Sequence, residues 1–192
     1  MKSLRQRKKN ERPLRSSQSN RGMDFEELLN FSNAQYQQKG WARIEKIATP
    51  FKQVGVHKQG VFLAVRDHAS TVDYFGIFDG RAIVFEAKQT KETTRFPFDN
   101  LHEHQVAYLR QAEKLGAVSF VLIEFSRLEE VYLVNASYIV EMWDAAERGG
   151  RKSISIDNIR HFGDQVTSGR GVALDYLSVV ERRWKRTRAS SL

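Results

Sequence analysis

The feature that most constrains the fold is a pair of apolar runs separated by Asp79-Gly80, a dipeptide typical of tight two-residue β-turns. The first run begins after Asp73, and the second ends in a Glu-x-Lys triplet at Glu86 and Lys88. Antiparallel pairing of the runs predicts a β-hairpin that brings Asp73 back to the end where the triplet lies. Because side chains along a strand alternate between faces, Glu86 and Lys88 project to the same side.

Two carboxylates and one amine at the end of a hairpin can form a site for a divalent cation and a phosphodiester. A hard cation such as Mg²⁺ or Mn²⁺ prefers carboxylate and water oxygens, so Asp73 and Glu86 can hold it and leave positions open for phosphate. The Lys88 ammonium can stabilise charge on the phosphate oxygens or help to deprotonate the attacking water. This pattern indicates a nuclease. The alternative is a turn-capping Asp73 and a surface ion pair between Glu86 and Lys88.

The remaining pattern predicts one mixed α/β domain, and 192 residues with 41% hydrophobic content are enough for a real core. An apolar stripe predicts a first helix over residues 25–39 that ends at Gly40. Further strands are predicted over residues 42–47, 54–66 (a hairpin), 74–78, 82–88, 117–125, 130–134 and 174–180, and further helices over 99–115, 136–147 and 155–162.

Composition limits the other classes of site. The chain has no cysteine, which excludes a disulfide framework and a thiolate zinc site and favours a reducing cytoplasm as the compartment. We expect no membrane span and no secretion signal. His102 and His104 lie near the start of a predicted helix, where positions two apart point about 200° from one another and cannot readily share an ion. A structural or DNA-facing role is expected for both.

Positive charge is concentrated at the two ends of the chain. Residues 1–21 hold eight basic residues against one acidic residue, a net +7, and residues 181–192 have a net +4. The whole chain carries +8, so the part between these ends is mildly acidic, at −3. Basic arms of this kind commonly follow nucleic-acid backbone by releasing counterions. The alternative for the N-terminal arm, which is too polar to order itself in isolation, is a solubilising tail or an anchor for an anionic surface.

This order of features resembles that of the PD-(D/E)xK nuclease superfamily, here with Val72 in place of proline. An acidic residue precedes a hairpin with a glycine turn, and the second strand is apolar and ends in Glu-x-Lys before a helix. Over roughly residues 20–180 the chain also resembles the RecU family, Holliday junction resolvases of Gram-positive bacteria and some of their phages. The motifs that carry this likeness, in the family's order and approximate spacing, are Arg21-Gly22-Met23, Ser70-Thr71-Val72-Asp73-Tyr74, Phe85-Glu86-Ala87-Lys88, Phe96-Pro97, His102-Glu103-His104-Gln105 and Gly149-Gly150-Arg151-Lys152-Ser153-Ile154.

The resemblance implies a PD-(D/E)xK restriction-endonuclease-like core, a central mixed β-sheet flanked by helices, and a site for Mg²⁺ or Mn²⁺. Asp73 and Glu86 would hold the metal, Thr71 and Gln105 would contribute directly or through water, and Lys88 would stabilise the transition state.

A third catalytic carboxylate is expected from Glu26 on the first helix, because related nucleases often use an acidic residue there. The alternative is that Glu26 only complements the dipole of the helix N-terminus.

One segment departs from the family. Nineteen residues, 51–69, separate Thr49-Pro50 from Ser70, where the family usually has a longer stalk that enters the centre of the junction. We expect a shortened, basic stalk-like hairpin here; the alternative is an ordinary exposed hairpin. The residues expected to contact DNA, in this hairpin and elsewhere, are Arg21, Lys52, Lys58, Arg66, Arg151 and Lys152. For the last two, the alternative is a basic surface loop.

The function that the resemblance implies is resolution of a four-way DNA junction by a homodimer that makes paired nicks, with recombinase or branch-migration proteins as further partners. The alternatives are a nuclease for flaps or forks and a non-catalytic DNA-binding regulator of recombination. The expected organisation is a basic arm over residues 1–20, a nuclease domain over 21–180 and a basic C-terminal tail over 181–192.

Overall fold

A computed structural model describes residues 23–56, 62–66 and 71–189 of the chain. Its helices are α1 (Phe25–Gln38), α2 (Glu103–Lys114), α3 (Ala136–Glu147), α4 (Ile156–Phe162) and α5 (Tyr176–Ala189). Its strands are β1 (Ala42–Lys46), β2 (Phe51–Val56), β3 (Phe62–Arg66), β4 (Tyr74–Phe78), β5 (Arg81–Thr90), β6 (Arg95–Pro97), β7 (Val118–Phe125), β8 (Glu130–Asn135), β9 (Ser153–Ser155) and β10 (Asp164–Val166). Across these three stretches, no helix combines the length and apolarity needed to cross a membrane.

Six of the strands form a central mixed sheet in the order β1-β4-β5-β7-β8-β10. Only the β5–β7 pair in this sheet is parallel, and α2 lies in the connection between those two strands. Helices α1 and α5 cover one face, and α2, α3 and α4 cover the other. The predicted α/β class, with a central mixed sheet flanked by helices, is confirmed.

The β4–β5 hairpin forms as the sequence predicts. Asp79 and Gly80 both have positive φ, 49° and 72°, as a type I′ turn requires. The register of the central strands is marked by an aromatic column on the α1/α5 face, where Phe85 lies between Tyr74 and Phe120 with ring-centroid distances of 4.7 and 4.8 Å. A one-residue slip would turn this column to the opposite face, so its burial fixes which side of β5 carries Glu86.

Polar side chains of α1 dock the segment that leads into α5. Ser32 Oγ accepts a hydrogen bond from Leu174 N at 3.0 Å, and Tyr36 Oη donates to Asp175 Oδ1 at 3.0 Å and accepts from Leu177 N at 3.1 Å. The strand predicted over residues 174–180 is therefore wrong. Leu174 lies before the helix, and the apolar residues from Tyr176 onward pack into the core from helix α5, because the contacts with α1 fix the backbone where that helix begins.

The second helix begins later than predicted. At the start of the predicted range 99–115, residues 98–100 form a 3₁₀ turn, Leu101 is extended, and α2 begins only at Glu103. Leu101 is buried in the core between the sheet and α2, and an extended backbone at this position places its side chain there.

The expectation for the histidine pair used a wrong geometry. His102 caps α2 in an extended conformation, so the angular argument for two helical positions does not apply. Its ring stacks on the ring of His104, with a distance of 5.5 Å between the ring centroids.

Strands β2 and β3 form a separate two-stranded sheet between β1 and β4 in the chain. A register shift between Gln53 and Gly55 marks a β-bulge. Lys52 is exposed on β2, and Arg66 belongs to β3, whereas the predicted turn at residues 59–60 lies outside the described residues. The hairpin carries a set of exposed apolar side chains: Phe51, Val54, Phe62, Leu63 and Val65.

Three short strands were missed by sequence reasoning. β6 and β9 pair with one another, and β10 pairs with β8 at the sheet edge. Each spans only three residues, which is too short for a period-two pattern to stand out.

Gly76 should be essential for the β1–β4 contact. A Cβ atom at this position would lie 2.3 Å from Arg43 O and 2.6 Å from Ile44 Cγ1, closer than atoms can approach. We expect Gly76→Ala to lower the free energy of unfolding by about 1–3 kcal/mol. In the control Gly55→Ala, the added Cβ would meet Leu63 Cδ1 at 3.6 Å, an ordinary contact. Equal stability of the two variants in urea unfolding would contradict this assignment.

Candidate active site

A cleft of about 350 Å³ opens at the end of the β4–β5 hairpin that lies opposite the Asp79-Gly80 turn. It is lined by both carboxylate and ammonium groups, among them Asp24, Glu26, Lys46, Asp73 and Lys88. The predicted convergence of Asp73 with the Glu-x-Lys triplet at this end is therefore present in the structure.

Asp73 is held at this end by the backbone of both neighbouring strands. Its Oδ2 accepts a hydrogen bond from Ala87 N at 3.0 Å, and its carbonyl oxygen accepts one from Ile47 N at 2.8 Å. Asp73 immediately precedes the Tyr74–Phe85 pair of the β4–β5 ladder, so it lies beside Glu86. The hairpin register therefore places the two carboxylates next to each other.

Glu86 is fully buried, although it carries an ionisable group. Lys88 Nζ lies 3.1 Å from Glu86 Oε2, and Gln105 Nε2 donates a hydrogen bond to the same oxygen at 2.8 Å. Glu86 Oε1 has no hydrogen-bond partner in the described part of the chain. Burial, and then the neighbouring Asp73 carboxylate, raise the pKa of Glu86 to about 8, against the lowering effect of Lys88.

Gln105 reaches the site from the first turn of α2. Its Oε1 accepts a hydrogen bond from His102 N at 3.1 Å, which turns its Nε2 toward Glu86. The resemblance implied that Gln105 contributes to the metal site directly or through water. In the structure, its amide nitrogen contacts one of the two expected ligand carboxylates.

The donor set fits a hard divalent cation. Glu86 offers a buried oxygen without a partner, and the Asp73 carboxylate lies beside it. A cation here would favour the ionised form of Glu86, whose pKa burial otherwise raises. Among residues 23–56, 62–66 and 71–189, no group of three or more His, Asp or Glu side chains forms a metal cluster. Water and phosphate oxygens would complete the coordination.

The first turn of α1 forms another wall of the cleft. Glu26 forms an ion pair with Lys46 of β1, and both side chains are partly exposed. Asp24 caps α1, and its Oδ1 accepts a hydrogen bond from Glu27 N at 2.7 Å. Sequence reasoning placed Glu26 here but missed Asp24 and Lys46. The Asp-x-x-Glu spacing of a capping box could have indicated Asp24, whereas Lys46 is brought in by tertiary pairing.

The other predicted site residues are spread over the molecule. Thr71 is exposed two positions before Asp73 and is not among the residues that line the cleft. Arg151 and Lys152 are exposed immediately before β9. Arg21 and Lys58 lie outside the described residues, and so does the side chain of Arg66.

The fold and the site define a mixed α/β protein with a cleft of paired carboxylates and lysines at the end of a central hairpin. The family described as Recombination protein U matches residues 20–182, and the chain belongs to this RecU family. Both the predicted family and its extent along the chain are confirmed.

Individual relatives agree with this assignment. The chain is 40% identical over 183 residues to the Holliday junction resolvase RecU of Geobacillus sp. (strain WCH70), covering 93% of this chain and 91% of the relative. It is 43% identical over 171 residues to the protein of that name from Bacillus pumilus (strain SAFR-032), covering 86% and 82% of the two chains. Among solved structures, it is similar to Hjc, a Holliday junction resolvase from Archaeoglobus fulgidus, with a TM-score of 0.34 and 16% identity over 57% of this chain and 77% of the other.

The raised pKa of Glu86 predicts a pH-dependent stability in the absence of metal. Between the ordinary pKa of 4.5 and about 8, the folded chain binds more protons at Glu86 than the unfolded chain does. The free energy of unfolding should therefore fall as the pH rises through this window. In the Glu86→Gln variant, whose side chain at this position cannot ionise, this part of the pH dependence of the free energy of unfolding should be absent.

Urea unfolding of both proteins with a chelator, at about pH 5, 6.5 and 8, measures the effect. Parallel stability curves for the two proteins would contradict the raised pKa. Addition of Mg²⁺ should flatten the wild-type curve, because a bound cation replaces the proton as the stabilising partner of Glu86.

Proposed function

We propose that this chain is a metal-dependent, structure-selective DNA endonuclease that resolves Holliday junctions during recombination and repair. The observation that carries the proposal is the buried Glu86 carboxylate, which contacts Lys88 and Gln105 through one oxygen, leaves the other without a partner and lies beside Asp73. The names of its relatives, Holliday junction resolvase RecU, support the choice of substrate.

Asp73 and Glu86 are the residues that would hold Mg²⁺ or Mn²⁺, with Thr71 contributing directly or through water. Such a cation, when bound, activates water and neutralises charge on the scissile phosphate. Gln105 and Lys88 both act on Glu86 Oε2, and their contacts leave Glu86 Oε1 for the metal. Gln105 thereby keeps the buried carboxylate in place. Its own Oε1 accepts a hydrogen bond from the backbone N–H of His102, so its Nε2 is the atom that faces Glu86.

In this proposal, Lys88 acts on the phosphate itself. Its side chain is 16% exposed and lines the cleft, so the ammonium can reach a substrate from its ion pair with Glu86. A hydrogen bond from this ammonium to a non-bridging oxygen stabilises the charge that grows there in the transition state. Glu26, whose carboxylate pairs with Lys46 at the opposite wall, is the proposed third acidic residue of the site.

DNA contact outside the cleft rests on exposed basic side chains and on the basic ends of the chain. Arg151 and Lys152 are both exposed, and Lys52 is exposed on the β2–β3 hairpin. The further contacts proposed from sequence are Arg21, Lys58 and Arg66. Phosphate contacts of this kind read branched shape and backbone position rather than base sequence.

A four-way junction has two equivalent strands to cut, and a two-fold homodimer carries two equivalent sites. Homodimerisation is therefore part of the proposal, as is a cytoplasmic location. Recombinase or branch-migration proteins are further candidate partners.

Amide substitutions test the assignment of the two carboxylates. Asp73→Asn and Glu86→Gln should each reduce Mg²⁺-dependent cleavage of a synthetic junction by at least ~100-fold and leave junction binding intact, because each removes a metal-binding charge and not a DNA contact. Glu130→Gln is a matched control. Glu130, on β8, is partly buried and forms an ion pair with Arg160 of α4, and it does not line the cleft. Wild-type cleavage by either site variant would disprove the assignment.

The short segment between β1 and β4 favours one second candidate, a nuclease for flaps or forks, because a short hairpin reaches less far into a junction centre. For a junction resolvase, we expect cleavage of a four-way junction at least ~10-fold faster than cleavage of a fork, a flap or a linear duplex at one salt concentration. Equal or faster cleavage of forks would favour the second candidate. Binding without any metal-dependent cleavage would favour the non-catalytic regulator.

A further inference from the structure

The candidate cleft extends past Lys88 to the end of β5. Gln89 is exposed and lines the cleft beside Lys88. Because successive side chains of a strand point to opposite faces, Lys88 shares the α2 side of the sheet with Glu86, and Gln89 shares the α1 side with Ala87. The proposed metal and phosphate chemistry uses the groups on the α2 side and does not involve Gln89.

Glu124 of β7 fixes the direction of the Gln89 side chain. The two residues are partners in the parallel β5–β7 ladder, and Gln89 Nε2 donates a hydrogen bond to Glu124 Oε2 at 2.5 Å. Burial raises the pKa of the half-buried Glu124 carboxyl group, and the hydrogen bond from Gln89 lowers it. A hydrogen bond to a charged carboxylate is roughly twice as strong as one between neutral groups, so the amide is held in one orientation.

The amide of Gln89 keeps one donor and one acceptor for a ligand. A glutamine amide carries two N–H donors on Nε2 and an acceptor oxygen, Oε1. Glu124 accepts from one of the donors, and Gln89 forms no other side-chain hydrogen bond within residues 23–56, 62–66 and 71–189. The remaining N–H and Oε1 lie side by side in one plane, so they match a partner that presents an acceptor next to a donor.

The charges around Gln89 disfavour a phosphate group at this position. Asp24, the N-cap of α1, also lines the cleft, and its negative charge adds to the effect of burial in raising the pKa of Glu124, so the two carboxylates lie near one another. The lysine of this wall, Lys46, is paired with Glu26. A neutral amide beside two carboxylates favours an uncharged ligand that carries a hydrogen-bond donor.

A nucleobase next to the scissile phosphate has this chemistry. Neighbouring Cα atoms lie about 3.8 Å apart, and successive phosphates of one strand are about 3.4 Å apart along the helix axis. A strand whose scissile phosphate contacts Lys88 therefore brings an adjacent nucleotide to Gln89. In the major groove, adenine presents its N7 acceptor beside its N6 amino donor, whereas guanine presents two acceptors, N7 and O6. Adenine can bond to both remaining groups of the amide, while guanine would turn an acceptor toward carboxylates.

We propose that Gln89, oriented by Glu124, contacts the base of a nucleotide that adjoins the scissile phosphate and favours adenine over guanine there. This inference rests on the proposed function and adds base selectivity to a site that otherwise binds metal and phosphate. Gln89 is then a specificity-determining residue that touches DNA. Glu124 is a positioning residue, because it acts on the base only through the Gln89 amide.

A pool of four-way junctions with a randomised homologous core tests the contact, because sequencing of the cut ends reports the base on each side of every nick. For the wild type with Mg²⁺, adenine should exceed guanine by at least ~5-fold at one of the two flanking nucleotides. The Gln89→Ala variant should lose this preference and cut adenine sites as slowly as guanine sites. Because the ratio compares substrates within one preparation, it does not depend on the folded fraction of the variant.

Two substitutions of Glu124 separate orientation of the amide from stability of the sheet. Glu124→Gln keeps an acceptor oxygen for Gln89 Nε2 and should retain most of the preference, whereas Glu124→Ala releases the amide and should reduce it. A merely structural role of Glu124 would lower cleavage of all sequences equally. Gln165→Ala is the matched control and should keep the wild-type ratio, since Gln165 is exposed on the edge strand β10 and does not line the cleft.

The outcomes separate this inference from the proposed function. A wild type without a base preference at either flanking nucleotide would overturn the inference, as would a preference that Gln89→Ala leaves intact. A wild type that cuts no junction would refute the proposed function, and binding of junctions with adenine or guanine at the branch point would then decide the base contact. Tighter binding of adenine that Gln89→Ala abolishes would support the contact, and equal binding of both would refute it.

Discussion

The candidate active site is organised around one ionisable group in the interior of the sheet. Glu86 lies on β5, buried, and its carboxylate keeps one oxygen without a protein partner. An uncompensated buried carboxylate is costly, and the chain lowers this cost only in part, through Lys88 and Gln105. Burial and the neighbouring Asp73 carboxylate therefore still raise the pKa of Glu86, although Lys88 lowers it. In the proposed function, a metal ion would supply the further positive charge that Lys88 alone does not provide.

The two faces of β5 have separate roles, and each supports the other. On one face, Phe85 stacks between Tyr74 and Phe120, so burial of aromatic area sets the register of three adjacent strands. On the other face, the same register places Asp73 beside Glu86 and lets Ala87 N bind the Asp73 carboxylate. The apolar column therefore controls the distance between the carboxylates, although none of its rings lies between them. A packing change at Phe85 would act on the site through strand register rather than through contact.

The elements that could be predicted from sequence are those fixed by local chemistry. The Asp79-Gly80 turn needs positive φ at both positions, and strand alternation alone places Glu86 and Lys88 on one face. The segment 174–180 was misassigned because its apolar residues fit both a strand and a helix, and only contacts from α1 decide between them. For a similar reason, sequence reasoning could not identify Lys46 as a residue of the cleft, since its approach to Glu26 depends on how β1 packs beside α1.

The order of the strands relates the separate β2–β3 sheet to the candidate site. The β2–β3 segment leaves β1 after Lys46 and returns shortly before Asp73, so it is anchored at the catalytic end of the sheet. The turn end of the β4–β5 hairpin, where Phe75 and Leu115 line one groove, is the end opposite this attachment. In the proposed function, DNA bound along the β2–β3 segment would therefore lie close to the two carboxylates. Because β4 and β5 are joined by a continuous ladder from Tyr74–Phe85 to Phe78–Arg81, the register set at the turn is carried to the end where Asp73 and Glu86 lie. A bulge within this ladder would shift that register and move Asp73 relative to Glu86, and the paired residues from the turn to Tyr74 and Phe85 contain none.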